Sequence, residues 1–168
     1  NMPKNVYYDM INQKTASLIA ASCELGAITT TKVSTDRKST FDYGENLGMA
    51  FQIKDDLFDF LGSENQTGKD HGGDVKKNML TLPLIYSIEN ASRTGRNRIK
   101  SLVRKKKKSV KILKEINDII YDSGGFDYAK KKLDEFSDKA TDSISSYAES
   151  EIKKSLINLV IFNKERVG

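Results

Sequence analysis

Apolar residues in this chain recur at intervals of three and four, and almost nothing interrupts them. Leu102, Val103, Val110, Ile112, Leu113, Ile116, Ile119 and Ile120 illustrate the spacing, and Pro3 and Pro83 are the only prolines in 168 residues. That period belongs to helices with one buried stripe, and no stretch alternates at two as a half-buried strand does. The chain is therefore expected to be all-α, with helices near 4–29, 39–61, 82–92, 95–104, 109–123, 125–148 and 150–165. Gly124-Gly125 closes one helix and opens the next, and Thr94-Gly95 marks another break. Residues 62–78, GSENQTGKDHGGDVKKN, form the one long stretch with loop chemistry. With no internal repeat and no low-complexity linker, the chain reads as a single helical region.

Composition excludes several classes of function. A hydrophobic share of 38% and a charged share of 30% suit a polar globular chain. No apolar run approaches the roughly 20 residues of a membrane span, and the first residues lack the order of a secretory signal, so a cytoplasmic location is expected. The lone cysteine, Cys23, sits among small residues in LIAASCELGA and reads as a buried structural thiol. The net charge of +5 is concentrated in RKKKK at 104–108. One basic run without an accompanying recognition motif reads as solvated surface, and no nucleic-acid partner is expected.

The stretch FQIKDDLFDF at 51–60 departs from this pattern, because it puts Asp55, Asp56 and Asp59 into an otherwise apolar helix. At about 100° per residue, Gly48, Gln52, Asp55, Asp56 and Asp59 share roughly one third of the circumference, while Leu47, Ala50, Leu57, Phe58 and Leu61 lie opposite. Three like charges on one arc repel each other unless a cation sits among them, whereas a solvated face usually mixes signs at i, i+4. Carboxylates without histidine or cysteine select a hard ion that keeps some waters and shares a phosphate, which is Mg²⁺. The loop that follows offers Gly68, Lys69, Gly72 and Gly73 for close approach to an anion, with Asp70 and Asp74 able to orient the lysine. Together these residues read as a diphosphate site. His71 has no second imidazole to complete a transition-metal site and reads as a surface loop residue.

Three segments, KTASLIAASCELGA (14–27), YGENLGMAFQIKDDLFD (43–59) and GKDHGGDVKKNMLTLPLIYS (68–87), resemble in order and spacing the trans-type polyprenyl diphosphate synthases. SGGFDYAKKKLDEF and SLINLVIFNKERVG are similar to that family's C-terminal helices, so the resemblance spans essentially the whole chain. It implies the C-terminal part of the helical isoprenoid synthase fold. It further implies a Mg²⁺-dependent prenyltransferase that condenses an allylic prenyl diphosphate with isopentenyl diphosphate into a longer trans-polyprenyl diphosphate. In that reading Asp55, Asp56 and Asp59 bind the metal, and Lys14 and Lys69 contact the allylic diphosphate. Thr15 and Gln52 present oxygens to the carbocation, Phe51 belongs to the substrate-binding set, and Lys14, Thr15, Gln52, Asp55, Asp56 and Lys69 form the catalytic set. The departing diphosphate takes the final proton. Homodimers are common in the family, so self-association is expected.

Two departures from the family pattern stand out. Asn78-Met79 occupies the place of a Gly-Lys pair before Thr-Leu-Pro, with Lys76 and Lys77 just upstream. Nothing in residues 1–168 matches the family's first aspartate-rich motif, the arginine pair after it or the isopentenyl diphosphate pocket. The expectation is therefore a C-terminal half, inactive alone. The alternative is a non-catalytic subunit of a heteromeric synthase, against which the retained Lys14, Gln52, Asp55, Asp56, Asp59 and Lys69 speak.

Overall fold

The computed structural model describes residues 2–61, 75 and 79–166. It is helical as expected, with no strand among the described residues. The order is α1 (Lys4–Ile11), a π-helical turn (Asn12–Ala16), α2 (Ser17–Ile28), α3 (Ser34–Leu61), α4 (Leu82–Asn90), α5 (Arg93–Val103), α6 (Val110–Asp122), α7 (Gly125–Ser143) and α8 (Glu151–Glu165). No described helix is long and apolar enough to cross a membrane.

Three boundaries differ from the sequence expectation, each for a local reason. The second long helix begins at Ser34 rather than 39. The Thr31 hydroxyl accepts from the Val33 N–H and donates to Asp36, and Arg37 bonds the Thr31 carbonyl, so the first turn is closed earlier. The break placed at Thr94-Gly95 falls at Ala91-Ser92, because the Ser92 hydroxyl accepts the Gly95 N–H and puts Gly95 inside the first turn of α5. Finally, α7 ends at Ser143 rather than 148. Lys153, only 8% exposed, donates to the carbonyls of Ser145 and Tyr147 and to Glu149, using its three ammonium protons on the turn that follows. The Gly124-Gly125 break is where it was expected, and Gly124 takes φ 74°, a conformation that glycine adopts at no steric cost.

The described chain forms two compact units. One contains the start of the chain up to Tyr7 with Asp55–Lys131, and the other contains Tyr8–Lys54 with Lys132–Arg166. In the first, α4, α5 and α6 contact one another, and Leu82, Leu84, Ile85, Ile99, Leu102, Ile116 and Ile120 are buried. Gly125 begins α7 close against α4, since a Cβ there would lie 2.6 Å from the Pro83 carbonyl oxygen. Helix α1 is pinned in this unit by Lys4, whose ammonium lies 3.0 Å from Glu89 and 4.8 Å from the Tyr128 ring centroid, beside the stacked Tyr86–Tyr128 pair.

In the second unit Tyr43, Leu47, Ala140, Ile144 and Val160 make a core, with Cys23, Tyr147, Leu156 and Ile157 packed against it. Cys23 is half-buried rather than buried as expected, and its partial burial raises the thiol. Glycines at 44 and 48 leave a groove along α3. A Cβ at Gly44 would meet Ala20 Cα at 2.8 Å, and one at Gly48 would meet Ala16 Cα at 2.5 Å. Ala16 and Ala20 are themselves fully buried, so the π turn and α2 lie backbone to backbone on α3. The basic run at 104–107 is exposed, as a solvated surface should be.

Candidate functional site

The expected site residues belong to both units and are described unit by unit. In the second unit, Lys14 and Thr15 occupy the π turn rather than a regular helix. Such single turns recur at functional positions because they re-aim side chains within an otherwise continuous helix. The turn is held on α3 by the Ala16–Gly48 approach and by Asn12, whose amide donates to Glu45 at 2.8 Å. Lys14 is exposed and Thr15 half-buried. On α3, Gln52 is 8% exposed and Phe51 half-buried.

The C-terminal end of α8 closes on the same stretch of α3. Arg166 donates to the Phe51 carbonyl at 3.2 Å and lays its guanidinium 4.2 Å from the Phe51 ring centroid. Lys54 donates to the Lys164 carbonyl at 2.6 Å, a cation on the negative end of α8. Sequence reasoning did not single out Arg166. It caps the C-terminal end of α8 beyond the apolar stripe, where no periodic signal marks it.

In the first unit, Asp55, Asp56 and Asp59 lie on the last turns of α3 and are all half-buried. The arc they share with Gly48 and Gln52 is thus not a water-facing edge. Gly48 and Gln52 are buried and the carboxylates are partly enclosed. The opposite stripe is buried too, with Leu47 at 7%, Ala50 at 0% and Leu57 at 4% exposure.

One carboxylate has an unforeseen arrangement. The Tyr7 hydroxyl donates to Asp56 Oδ2 at 2.7 Å, and the Leu82 N–H donates to the same oxygen at 2.8 Å. Leu82 opens α4, where the Thr81 side chain makes no cap and Pro83 has no N–H. Asp56 therefore supplies from α3 the acceptor that a helix N-terminus requires. Tyr7 was not a candidate on sequence grounds. The available signal was its place on the buried face of α1, since a buried tyrosine hydroxyl needs a partner. Lys69, with Gly68, Asp70, His71, Gly72, Gly73, Asp74, Lys76, Lys77 and Asn78, lies outside the described residues, and Met79 is exposed.

Among the described residues, no three histidine, cysteine or acidic side chains converge closely enough to hold a metal ion by themselves. The carboxylates of the Asp55 to Asp59 turn do not fit an ion caged by protein. They fit Mg²⁺, which takes one or two carboxylates and completes its shell with phosphate oxygens and water.

Fold and site together define an all-helical protein whose polar motif is carried on a π turn and on the last turns of a long helix. Residues 2–120 match the family described as Polyprenyl synthetase, and the chain belongs to that family. It is 30% identical over 154 residues to solanesyl-diphosphate synthase 2, chloroplastic, of Oryza sativa subsp. japonica, covering 92% of this chain and 37% of that one. It is 41% identical over 90 residues to heptaprenyl diphosphate synthase component 2 of Geobacillus stearothermophilus, covering 54% of this chain and 28% of that one. The crystal structure of polyprenyl synthase from Caulobacter crescentus, complexed with calcium and isoprenyl diphosphate, superposes with a TM-score of 0.91 at 27% identity. That match covers 100% of this chain and 51% of the other. The chain thus spans about half or less of the length of these relatives.

Proposed function

We propose that this chain carries the allylic-diphosphate half of a prenyltransferase. The whole protein condenses an allylic prenyl diphosphate with isopentenyl diphosphate to give a longer trans-polyprenyl diphosphate. The observation that carries the reading is the half-buried run of like charge on α3 in a chain that matches polyprenyl synthetases over residues 2–120. The calcium and isoprenyl diphosphate in the Caulobacter relative support a divalent ion and a diphosphate as its ligands.

The residue roles follow from what each step of such a reaction requires. Breaking the allylic C–O bond leaves charge on the departing diphosphate, and cationic groups that meet that charge lower the barrier. Lys14, exposed on its π turn, and Lys69 supply positive charge to the diphosphate. The Asp55 to Asp59 turn holds Mg²⁺, and when bound the ion adds Lewis-acid stabilisation of the leaving group. Gln52 and Thr15 offer neutral oxygens to the allylic cation without the nucleophilicity that would trap it. Phe51, fixed by Arg166, sets the backbone from which Gln52 projects. The protein associates with itself, a reading supported by the exposed Leu18 and Leu25 on α2.

A second reading, a non-catalytic subunit of a heteromeric synthase, is favoured by one observation: the Geobacillus relative is named as a component. Incorporation of labelled isopentenyl diphosphate into extractable product separates the two, with geranyl diphosphate as primer. The chain is assayed alone and together with the N-terminal half of a related synthase. The expected result is no turnover alone and Mg²⁺-dependent turnover when the two are combined, lost in Asp55→Lys. Combined turnover that Asp55→Lys leaves unchanged contradicts the catalytic reading and favours the subunit.

A further inference from the structure

The two adjacent aspartates at 55 and 56 are held differently, and the difference is visible in the bonds of Asp56 Oδ2. A carboxylate oxygen has two in-plane lone-pair positions. Asp56 Oδ2 receives two donors, Tyr7 O–H at 2.7 Å and Leu82 N–H at 2.8 Å, so both in-plane positions of this oxygen are taken and Asp56 cannot grip a cation with both oxygens. Both donors are enclosed, Tyr7 at 1% exposure and Leu82 at 0%, where hydrogen bonds to a charged acceptor are at their strongest. Three elements meet at that oxygen: α1 through Tyr7, α3 through Asp56 and α4 through Leu82. Asp55 and Asp59 lie within one turn of Asp56 on α3, so holding Asp56 holds their backbone.

We infer that Asp56 and Tyr7 are positioning residues: the half-buried Asp56 carboxylate serves as a hydrogen-bond acceptor that locks the last turns of α3, while Asp55 and Asp59 carry the cation. The division of labour rests on the metal–diphosphate reading above. The lock itself does not.

The test uses the full chain with four substitutions and two readouts. The first readout is amide exchange at Leu82. The second is uptake of Mn²⁺ in the presence of inorganic diphosphate, followed by the electron paramagnetic resonance of the free ion. Asp56→Asn keeps an oxygen for both donors and removes the charge. It is expected to retain Leu82 protection and Mn²⁺ affinity within about threefold. Asp56→Ala removes the acceptor and should speed Leu82 exchange on the order of tenfold, with a parallel loss of Mn²⁺ affinity. Tyr7→Phe removes one donor while Lys4 still anchors α1, and a loss of about threefold in Mn²⁺ affinity at unchanged stoichiometry is expected. Asp55→Asn should cost at least about tenfold in Mn²⁺ affinity and leave Leu82 exchange unchanged.

The inference is overturned if Asp56→Asn loses Mn²⁺ as fully as Asp55→Asn, which makes Asp56 a ligand. It is equally overturned if Asp56→Ala leaves Leu82 exchange unchanged, or speeds it with no change in Mn²⁺ affinity, which leaves a purely structural bond. If the unsubstituted chain takes up no Mn²⁺ with diphosphate, the functional reading fails, and Leu82 exchange in Asp56→Ala against Asp56→Asn decides the lock alone.

Discussion

The two compact units position their share of the motif by opposite means. In the unit containing Tyr8–Lys54, the Lys14-Thr15 turn is placed mainly by absence of side chain: Gly44 and Gly48 let the backbone of Ala16 and Ala20 touch α3, and the Asn12–Glu45 bond adds one polar tie. In the unit containing Asp55–Lys131, the carboxylate turn is placed by polar bonds converging on Asp56. Steric placement tolerates no added atom, whereas polar placement tolerates any isostere that keeps the acceptor. Neighbouring turns of one helix thus come under different rules of substitution.

Gly48→Ala is expected to have the largest effect. In an ordinary helix this change stabilises by about 1 kcal/mol. Here the new methyl group meets Ala16 Cα at 2.5 Å, backbone that cannot swing aside, and a net loss of about 2 to 3 kcal/mol is expected. Denaturant unfolding measures it. A gain in stability would show that α2 yields easily and that steric placement is not what sets the Lys14 turn.

Tyr43 sharpens the comparison, because it is a polar group inside the sterically packed unit. At 2% exposure, burial pushes its phenol up to about 12, with Cys23 adding to the shift, and its hydroxyl donates to the Leu156 carbonyl. A phenol raised above its unfolded value near 10 stabilises fully below that pH and loses its contribution as pH climbs through the folded value. Stability should therefore fall by up to about 2.5 kcal/mol more between roughly pH 10 and 12 in the unsubstituted chain than in Tyr43→Phe. Parallel pH profiles would place the alkaline loss in other groups, among them Tyr147, which burial also raises.

Arg166→Ala is expected to have the smallest effect, about 1 kcal/mol, from one hydrogen bond and one stacked guanidinium on Phe51. Arg166→Lys should recover less than half of it, because an ammonium does not stack as a planar fork does. Full recovery by lysine would mean that charge alone anchors the tail.

Most of the helical framework was legible in the sequence, because the three-and-four spacing and the glycine pair at 124 and 125 act locally. The caps at Thr31, Ser92 and Lys153 shifted ends by a few residues, since each depends on which hydroxyl or ammonium turns back onto the chain. The wheel position of Gln52 and the aspartates was legible; the burial of Gln52 and the partial burial of the aspartates were not. For Asp56 that depends on Tyr7 and Leu82, which reach it from 49 and 26 positions away in sequence. The π turn at Lys14-Thr15 was invisible too, as one extra residue in a helix does not disturb a short apolar pattern. Tyr7 and Asp56 found each other across 49 positions, a pairing that neither local helix predicts.

The central claim is that the carboxylate turn of α3 serves a divalent ion with a prenyl diphosphate. Calorimetric titration of geranyl diphosphate into the chain, with Mg²⁺ and then with a chelator, tests it most directly when Asp55→Lys is run beside the unsubstituted protein. The account predicts binding that requires Mg²⁺ and falls at least about tenfold in Asp55→Lys, at unchanged helix content. Equal binding in chelator, or binding that Asp55→Lys leaves intact, would contradict it.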